Sequence, residues 1–173
     1  GASLSDYMLL GERDYNLGSG YSTKAGAGII YNRRLAFLLN MENYQLLEEC
    51  KTLGGCQTGQ AKLTKGYNLK AKYVIHTVGP VYSGKDTDEI MLKNCYINSL
   101  ELAKEHEIHS IAFPAISTGV YGYPIEKAVP IAVNAVYGWI EKNMDYDIKV
   151  TFVCFNDRIF QMFKKYVQGG KSV

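Results

Sequence analysis

From Tyr73 onward the chain repeats one arrangement three times: a short run of β-branched and aromatic residues, then a longer run with its apolar residues on one face. The short runs are Tyr73–Val78, Ser110–Ile116 and Ile148–Phe155. Each is rich in residues that suit a half-buried pleated surface, and turn or capping residues come after each of them. The first long run, Asp86–Lys104, places Leu92, Cys95, Tyr96, Ser99, Leu100 and Ala103 on one helical face. Asp86 is expected to cap it, with Asp88 and Glu89 at the positive end of its dipole. The second is opened by Pro124 and carries Ala128, Ile131, Ala132, Ala135 and Trp139, with a bend expected at Pro130. The third is capped by Asn156-Asp157 and carries Ile159, Met162, Phe163 and Tyr166. Strands joined through helices run parallel and are covered on both faces, which defines an α/β class. Ala61–Lys65 precedes Tyr73 by a short link and so predicts an antiparallel neighbour. The sheet is therefore expected to be mixed but mostly parallel.

A length of 173 residues favours one domain with a real core. The formal charge of +2 is too small to argue for a nucleic-acid or membrane partner, yet it does not exclude a small anionic ligand. No apolar run approaches the length of a membrane span. Cys50, Cys56, Cys95 and Cys154 form no C-x-x-C pair, so free thiols in a reducing, cytoplasmic setting are expected. Nothing in the chain calls for a cofactor or a metal. His106 and His109 lie three apart near a helix end, a spacing unlike H-E-x-x-H, and His76 inside an apolar strand reads as a hydrogen-bonded core residue.

The first sixty residues are less regular. Asp6–Leu10 fits a short strand, Asn16–Gly28 a glycine-rich loop, and Ile29–Leu53 a mainly helical stretch; residues 168–173 look frayed. Around Lys24 the loop lacks the residues of a P-loop, and Gly26–Ile30 lacks those of a dinucleotide fingerprint.

Ser117-Thr118-Gly119-Val120-Tyr121-Gly122-Tyr123-Pro124 stands between the end of a strand and the start of a helix. Ligands of open α/β sheets bind at that edge, and exposed amides with a helix dipole favour an anion there. Gly119 and Gly122 let the backbone approach a ligand, and Tyr121 and Tyr123 offer rings to a sugar or base. An ordinary strand-to-helix loop with turn glycines accounts for the same residues, so both readings stay open on physics alone.

Four segments resemble the macro domain family, the module that binds ADP-ribose. They are Leu46–Cys50, Gly59–Lys62, Ala71–Pro80 and Phe113–Pro124, in the family's order and spacing. The resemblance implies a three-layer α/β/α sandwich spanning residues 1–173, with residues 1–45 divergent. It implies that the backbone of Ser117, Thr118, Gly119, Val120, Tyr121 and Gly122 holds a diphosphate and the distal ribose, with Tyr121 beside that ribose. It also implies that Phe155 and Asn156 lie near the adenine, and that Gly18, Ser19 and Gly20 meet the family's glycine loop.

The N-terminal third departs from the family. Laid on the family's asparagine strand, Asp6–Arg13 puts Leu10 and Arg13 at the two asparagine positions; Ala27 replaces an aspartate and Tyr31 a histidine. Leucine and alanine relay no proton. The resulting reading is a domain that binds ADP-ribose or an ADP-ribosylated protein, with hydrolysis impaired. The alternatives are an ADP-ribosyl or O-acyl-ADP-ribose hydrolase, and a binding module for another phosphorylated ligand or an RNA end.

Overall fold

The computed structural model describes residues 7–10, 15–16, 22–23, 44–69 and 71–169. Its strands are β1 (Tyr7–Leu10), β2 (Tyr15–Asn16), β3 (Ser22–Thr23), β4 (Ala61–Lys65), β5 (Tyr73–Thr77), β6 (Ser110–Pro114) and β7 (Lys149–Val153). Its helices are α1 (Tyr44–Thr52), α2 (Asp86–Glu105), α3 (Ile125–Lys142) and α4 (Asp157–Gly169).

Strand pairing is mixed, as expected, but not mostly parallel: among the described residues β1–β5, β4–β5 and β2–β3 pair antiparallel and β6–β7 in parallel, and the connections explain why. The link from β4 to β5 is a short turn, which reverses the chain and gives an antiparallel pair with Lys62 opposite His76. Gly66 makes that turn possible: its N–H donates to the Lys72 carbonyl, and a Cβ there would lie 1.8 Å from the Ala71 oxygen. The link from β6 to β7 runs through α3, and the two strands pair in parallel with Phe113 opposite Phe152. On its other edge β5 takes β1, antiparallel, with Tyr7 opposite His76. β1 also lies against β6, so the two sheets adjoin through it.

Successive residues of a strand face opposite sides. Ile75 belongs to the large core with Leu92, Tyr96, Phe113, Val129 and Phe163, whereas Val74 packs in a small cluster with Leu46 and Ala71. Helices α2, α3 and α4 therefore cover one face and α1 the other, which yields the three layers. Tyr96, Phe113 and Phe152 pack ring against ring on the larger side, with centroids 5.0 Å apart for Tyr96–Phe113 and 6.4 Å for Phe113–Phe152.

Several boundaries differ from expectation. Asp86 is the first residue of α2, not its cap. The capping carboxylate is Asp88, which is buried and accepts hydrogen bonds from the amides of Ser83 (2.7 Å), Gly84 (2.9 Å) and Lys85 (3.3 Å) and from the Ser83 hydroxyl (3.1 Å). Those donors, the Ser83 amide foremost, hold its carboxyl below the usual carboxylate range. Val78 leaves β5 and makes a single parallel bridge to Thr58. Pro124 precedes α3 in an extended conformation (φ −60°, ψ 128°), where its carbonyl accepts the first helical bonds. Pro130 sits within α3, and the helix runs through it to Lys142. Asn156 caps α4 as expected, its Oδ1 accepting the Ile159 amide at 2.9 Å. That helix continues to Gly169, into the stretch expected to be frayed. Of the predicted helical stretch from Ile29, the helix Tyr44–Thr52 is described; residues 29–43 lie outside the described residues. Cys50, Cys56, Cys95 and Cys154 are all free. Among the described residues no helix is long and apolar enough to cross a membrane.

Candidate functional site

β6 ends at Pro114, which has no amide to offer a neighbouring strand, and the chain leaves the sheet there. The next residues form a closed loop. The Tyr123 amide donates to the Ser117 carbonyl at 2.9 Å, tying the loop's base, and the Gly122 amide donates to the Gly119 carbonyl at 3.0 Å. Thr118 bonds back to the Ala115 carbonyl through its amide (3.3 Å) and its hydroxyl (2.8 Å). Two left-handed residues bracket the loop: Ser117 (φ 64°) where it opens and Gly122 (φ 68°) where it closes. The left-handed form costs a non-glycine residue about 1 kcal/mol, so the contacts around Ser117 must impose it. One of them is Gly79, where a Cβ would lie 2.1 Å from the Ser117 Oγ and 2.6 Å from Ile116 Cγ2. The Ser117 side chain is buried, and its hydroxyl meets no hydrogen-bond partner among the described residues.

This folding uses the amides of Thr118, Gly122 and Tyr123. The amides of Gly119 and Val120 have no hydrogen-bond partner among the described residues, and both residues are exposed at the cleft. The loop leads directly into α3, so the positive end of an 18-residue helix backs it. A second helix start converges on the same cleft, because Phe155 and Asn156 stand at the entry to α4. Capping occupies the Asn156 Oδ1, which leaves its Nδ2 as the group able to donate to a ligand. Near the starts of the two helices, Arg158 of α4 pairs with Glu126 of α3 at 2.5 Å and holds the Glu126 carboxyl below its ordinary range.

The described lining comprises the 114–121 segment with Phe155, Asn156 and Ile159, around a cleft of about 250 Å3. Six of the expected site residues meet here: Ser117, Thr118, Gly119, Val120 and Tyr121 from the loop, and Phe155 from beyond β7. Asn156 joins them as a capping residue. Gly122 shapes the loop from its far end and does not line the cleft. Gly18, Ser19 and Gly20 lie outside the described residues, as do Arg13, Ala27 and Tyr31.

The aromatic wall is narrower than expected. Tyr121 lines the cleft, but Tyr123 is buried with its ring 4.8 Å from that of Tyr82, on the side that faces a groove between α2 and α3. The reason is the turn at Gly122, which sends the next side chain inward. Cys154 directly precedes Phe155, and burial pushes its thiol up to about 11, where it stays protonated and unreactive. His76 is the core residue expected, with the Thr64 hydroxyl 2.8 Å and the Cys50 sulfur 3.7 Å from its Nε2.

Sequence reasoning missed the residues that hold the loop from beneath. The Tyr96 hydroxyl of α2 accepts the Ile116 amide at 3.2 Å and reaches the Pro114 carbonyl at 3.4 Å. The Tyr82 amide donates to the Tyr121 carbonyl at 2.9 Å. Both contacts are long-range, and no local spacing announces them.

A parallel strand, an amide-lined loop and two helix starts meet at one sheet edge, an arrangement of an α/β module that suits an anion. Residues 38–132 match the sequence model described as Macro domain, over half of the chain, and the chain belongs to the macro domain family. It is 50% identical over 127 residues to the macro domain-containing protein CT2219 of Chlorobaculum tepidum, covering 73% of each chain. It is 49% identical over 122 residues to the human ADP-ribose glycohydrolase MACROD2, covering 69% of this chain and 29% of that protein. Among solved structures it is similar to the macro domain of ganglioside induced differentiation associated protein 2, with a TM-score of 0.72, 37% identity, and coverage of 79% of this chain and 69% of that one. A Trypanosoma brucei macrodomain in complex with ADP-ribose is 40% identical, with a TM-score of 0.69 and coverage of 76% and 55%.

Proposed function

We propose that this chain binds ADP-ribose, free or carried on a protein, with its diphosphate on the loop from Ser117 to Tyr121. The observation that carries the reading is the pair of amides at Gly119 and Val120, left without partners among the described residues at the meeting of two positive helix ends. Gly122 closes the loop, Tyr121 flanks the distal ribose, and Phe155 with the Asn156 amide group receives the adenine end. The Trypanosoma relative, at 40% identity, was solved with ADP-ribose, which supports the same ligand class here.

Binding is favoured over turnover. The relatives named ADP-ribose glycohydrolases raise the case for hydrolysis. Against it, laying Asp6–Arg13 on the family's asparagine strand puts Leu10 at an asparagine position. Leucine offers neither donor nor acceptor to a water or a ribose.

Calorimetry with ADP-ribose tests the reading. Micromolar affinity, roughly −8 kcal/mol, is the expected result. Heat indistinguishable from buffer dilution sinks it. Rapid release of ADP-ribose from a modified protein would place this chain among the hydrolases instead.

A further inference from the structure

Helix α2 contributes no residue to the described cleft lining, yet it grips the anion loop at both ends. At the entrance, the buried Tyr96 hydroxyl holds the Ile116 amide (3.2 Å) and the Pro114 carbonyl (3.4 Å). At the exit, the Tyr121 carbonyl is held by the Tyr82 amide (2.9 Å). Tyr82 is the residue before Ser83, and the turn Ser83-Gly84-Lys85 is pinned by the buried Asp88 carboxylate through three amides and one hydroxyl. Tyr96 and Asp88 stand at opposite ends of the first half of α2, and each secures one end of the loop.

We propose that Tyr96 and Asp88 are positioning residues of the diphosphate loop: they set the direction of the Gly119 and Val120 amides from a helix that does not line the described cleft. This rests on the ADP-ribose reading for its ligand, but not for its geometry. A loop of main-chain donors acts on an anion only if its amides are already aimed, since reorienting them on binding subtracts from affinity. The loop's own bonds close it upon itself; the contacts from Tyr96 and Tyr82, with the packing of Ser117 on Gly79, fix how it sits on the sheet edge. Removing the Tyr96 hydroxyl leaves the Ile116 amide buried without a partner, and removing the Asp88 carboxylate frees the turn that carries Tyr82.

Ser99 supplies the control. It lies on the same helix, is fully buried, and its hydroxyl donates only within α2, to the Cys95 carbonyl at 2.6 Å. A structural role alone therefore predicts similar behaviour from all three positions.

The experiment measures ADP-ribose affinity by calorimetry, and amide hydrogen exchange in the free protein, for Tyr96→Phe, Asp88→Asn and Ser99→Ala. Each of the first two is expected to weaken binding about tenfold and to speed exchange at Thr118, Gly122 and Tyr123, the loop amides that are hydrogen-bonded in the free protein. Ser99→Ala is expected to lower the melting temperature while leaving affinity and loop exchange unchanged. Folded Tyr96→Phe and Asp88→Asn variants with wild-type affinity and wild-type loop exchange would overturn the inference, as would equal losses in Ser99→Ala. If the wild type binds no ADP-ribose, the ligand assignment falls. The exchange measurement still decides whether these residues aim the loop.

Discussion

The two faces of the sheet are built from different materials. Under α2, α3 and α4 lies a continuous apolar core in which Phe113, Ile75, Leu92 and Val129 are completely buried. Under α1 lies a small cluster of Leu46, Ala71 and Val74, and beside it a buried polar group, with His76 against Thr64 and Cys50. The ligand loop emerges from β6, whose Phe113 belongs to the larger core, and its contacts from Tyr96 and Tyr82 come from the larger side as well. A site proposed to work by fixed main-chain direction thus stands on the face with the larger packed core. The other face carries the buried His76, whose low proton affinity makes stability depend on pH.

The strongest way to break this comparison is to hollow each face. Phe113→Ala should cost about 3–5 kcal/mol in urea unfolding, and Leu46→Ala in the small cluster only about 2 kcal/mol. Equal costs would mean that the two faces share the load evenly.

Next in size is the loop itself. Gly119→Glu places bulk and negative charge where the phosphates are proposed to lie, and should weaken ADP-ribose binding a hundredfold or more, about 2.7 kcal/mol. A Cβ at Gly119 meets nothing within 4 Å, so the variant should melt near the wild-type temperature. Retained affinity would move the ligand elsewhere.

The polar face yields a pH signature. Burial pushes the His76 imidazole down from 6.5 to about 4, so the folded protein keeps it neutral while the unfolded chain takes up a proton below pH 6.5. Its contribution to stability is thus complete above about 6.5 and is lost as pH falls toward 4, at about 1.4 kcal/mol per pH unit. Stability measured at pH 7 and pH 5 should differ by roughly 2 kcal/mol on this account, and His76→Gln should flatten the difference. An unchanged slope in that variant would assign the dependence to other groups.

The smallest effect expected is at the cleft's outer wall. Phe155 is 43% exposed and makes its proposed contribution by covering a base, so Phe155→Ala should weaken ADP-ribose about threefold, near 0.6 kcal/mol. A loss as large as that of Gly119→Glu would make the ring, and not the amides, the principal grip.

Much of the architecture is legible in the chain itself. The elements from β4 onward come from periodicity and capping residues, because strand and helix patterns there are set by neighbours in sequence. The ligand loop is legible for the same reason: its glycines, its proline and its place between strand and helix are all local. Tyr123 is misjudged from sequence because its direction depends on the left-handed turn at Gly122, a dihedral that composition does not display. Asp86 competes with Asp88 as the cap because both suit a first turn, and only the path of residues 83–85 decides between them. Tyr82 and Tyr96 read as ordinary loop and core residues, since their partners lie 39 and 20 positions away. The expected roles of Gly18, Ser19 and Gly20 fall outside the described residues.

A grip made of peptide groups also sets what the chain can tolerate over time. Every residue but proline brings the same N–H to the main chain, so Val120, whose side chain is 85% exposed, is open to replacement without altering the amide proposed to meet the phosphates. Selectivity for what is attached to the ligand can drift through that outward side chain while the proposed recognition of the anion stays constant. Designers who wish to retarget such a module have one outward position to vary, with the Thr118 hydroxyl and the turn at Gly122 to leave alone.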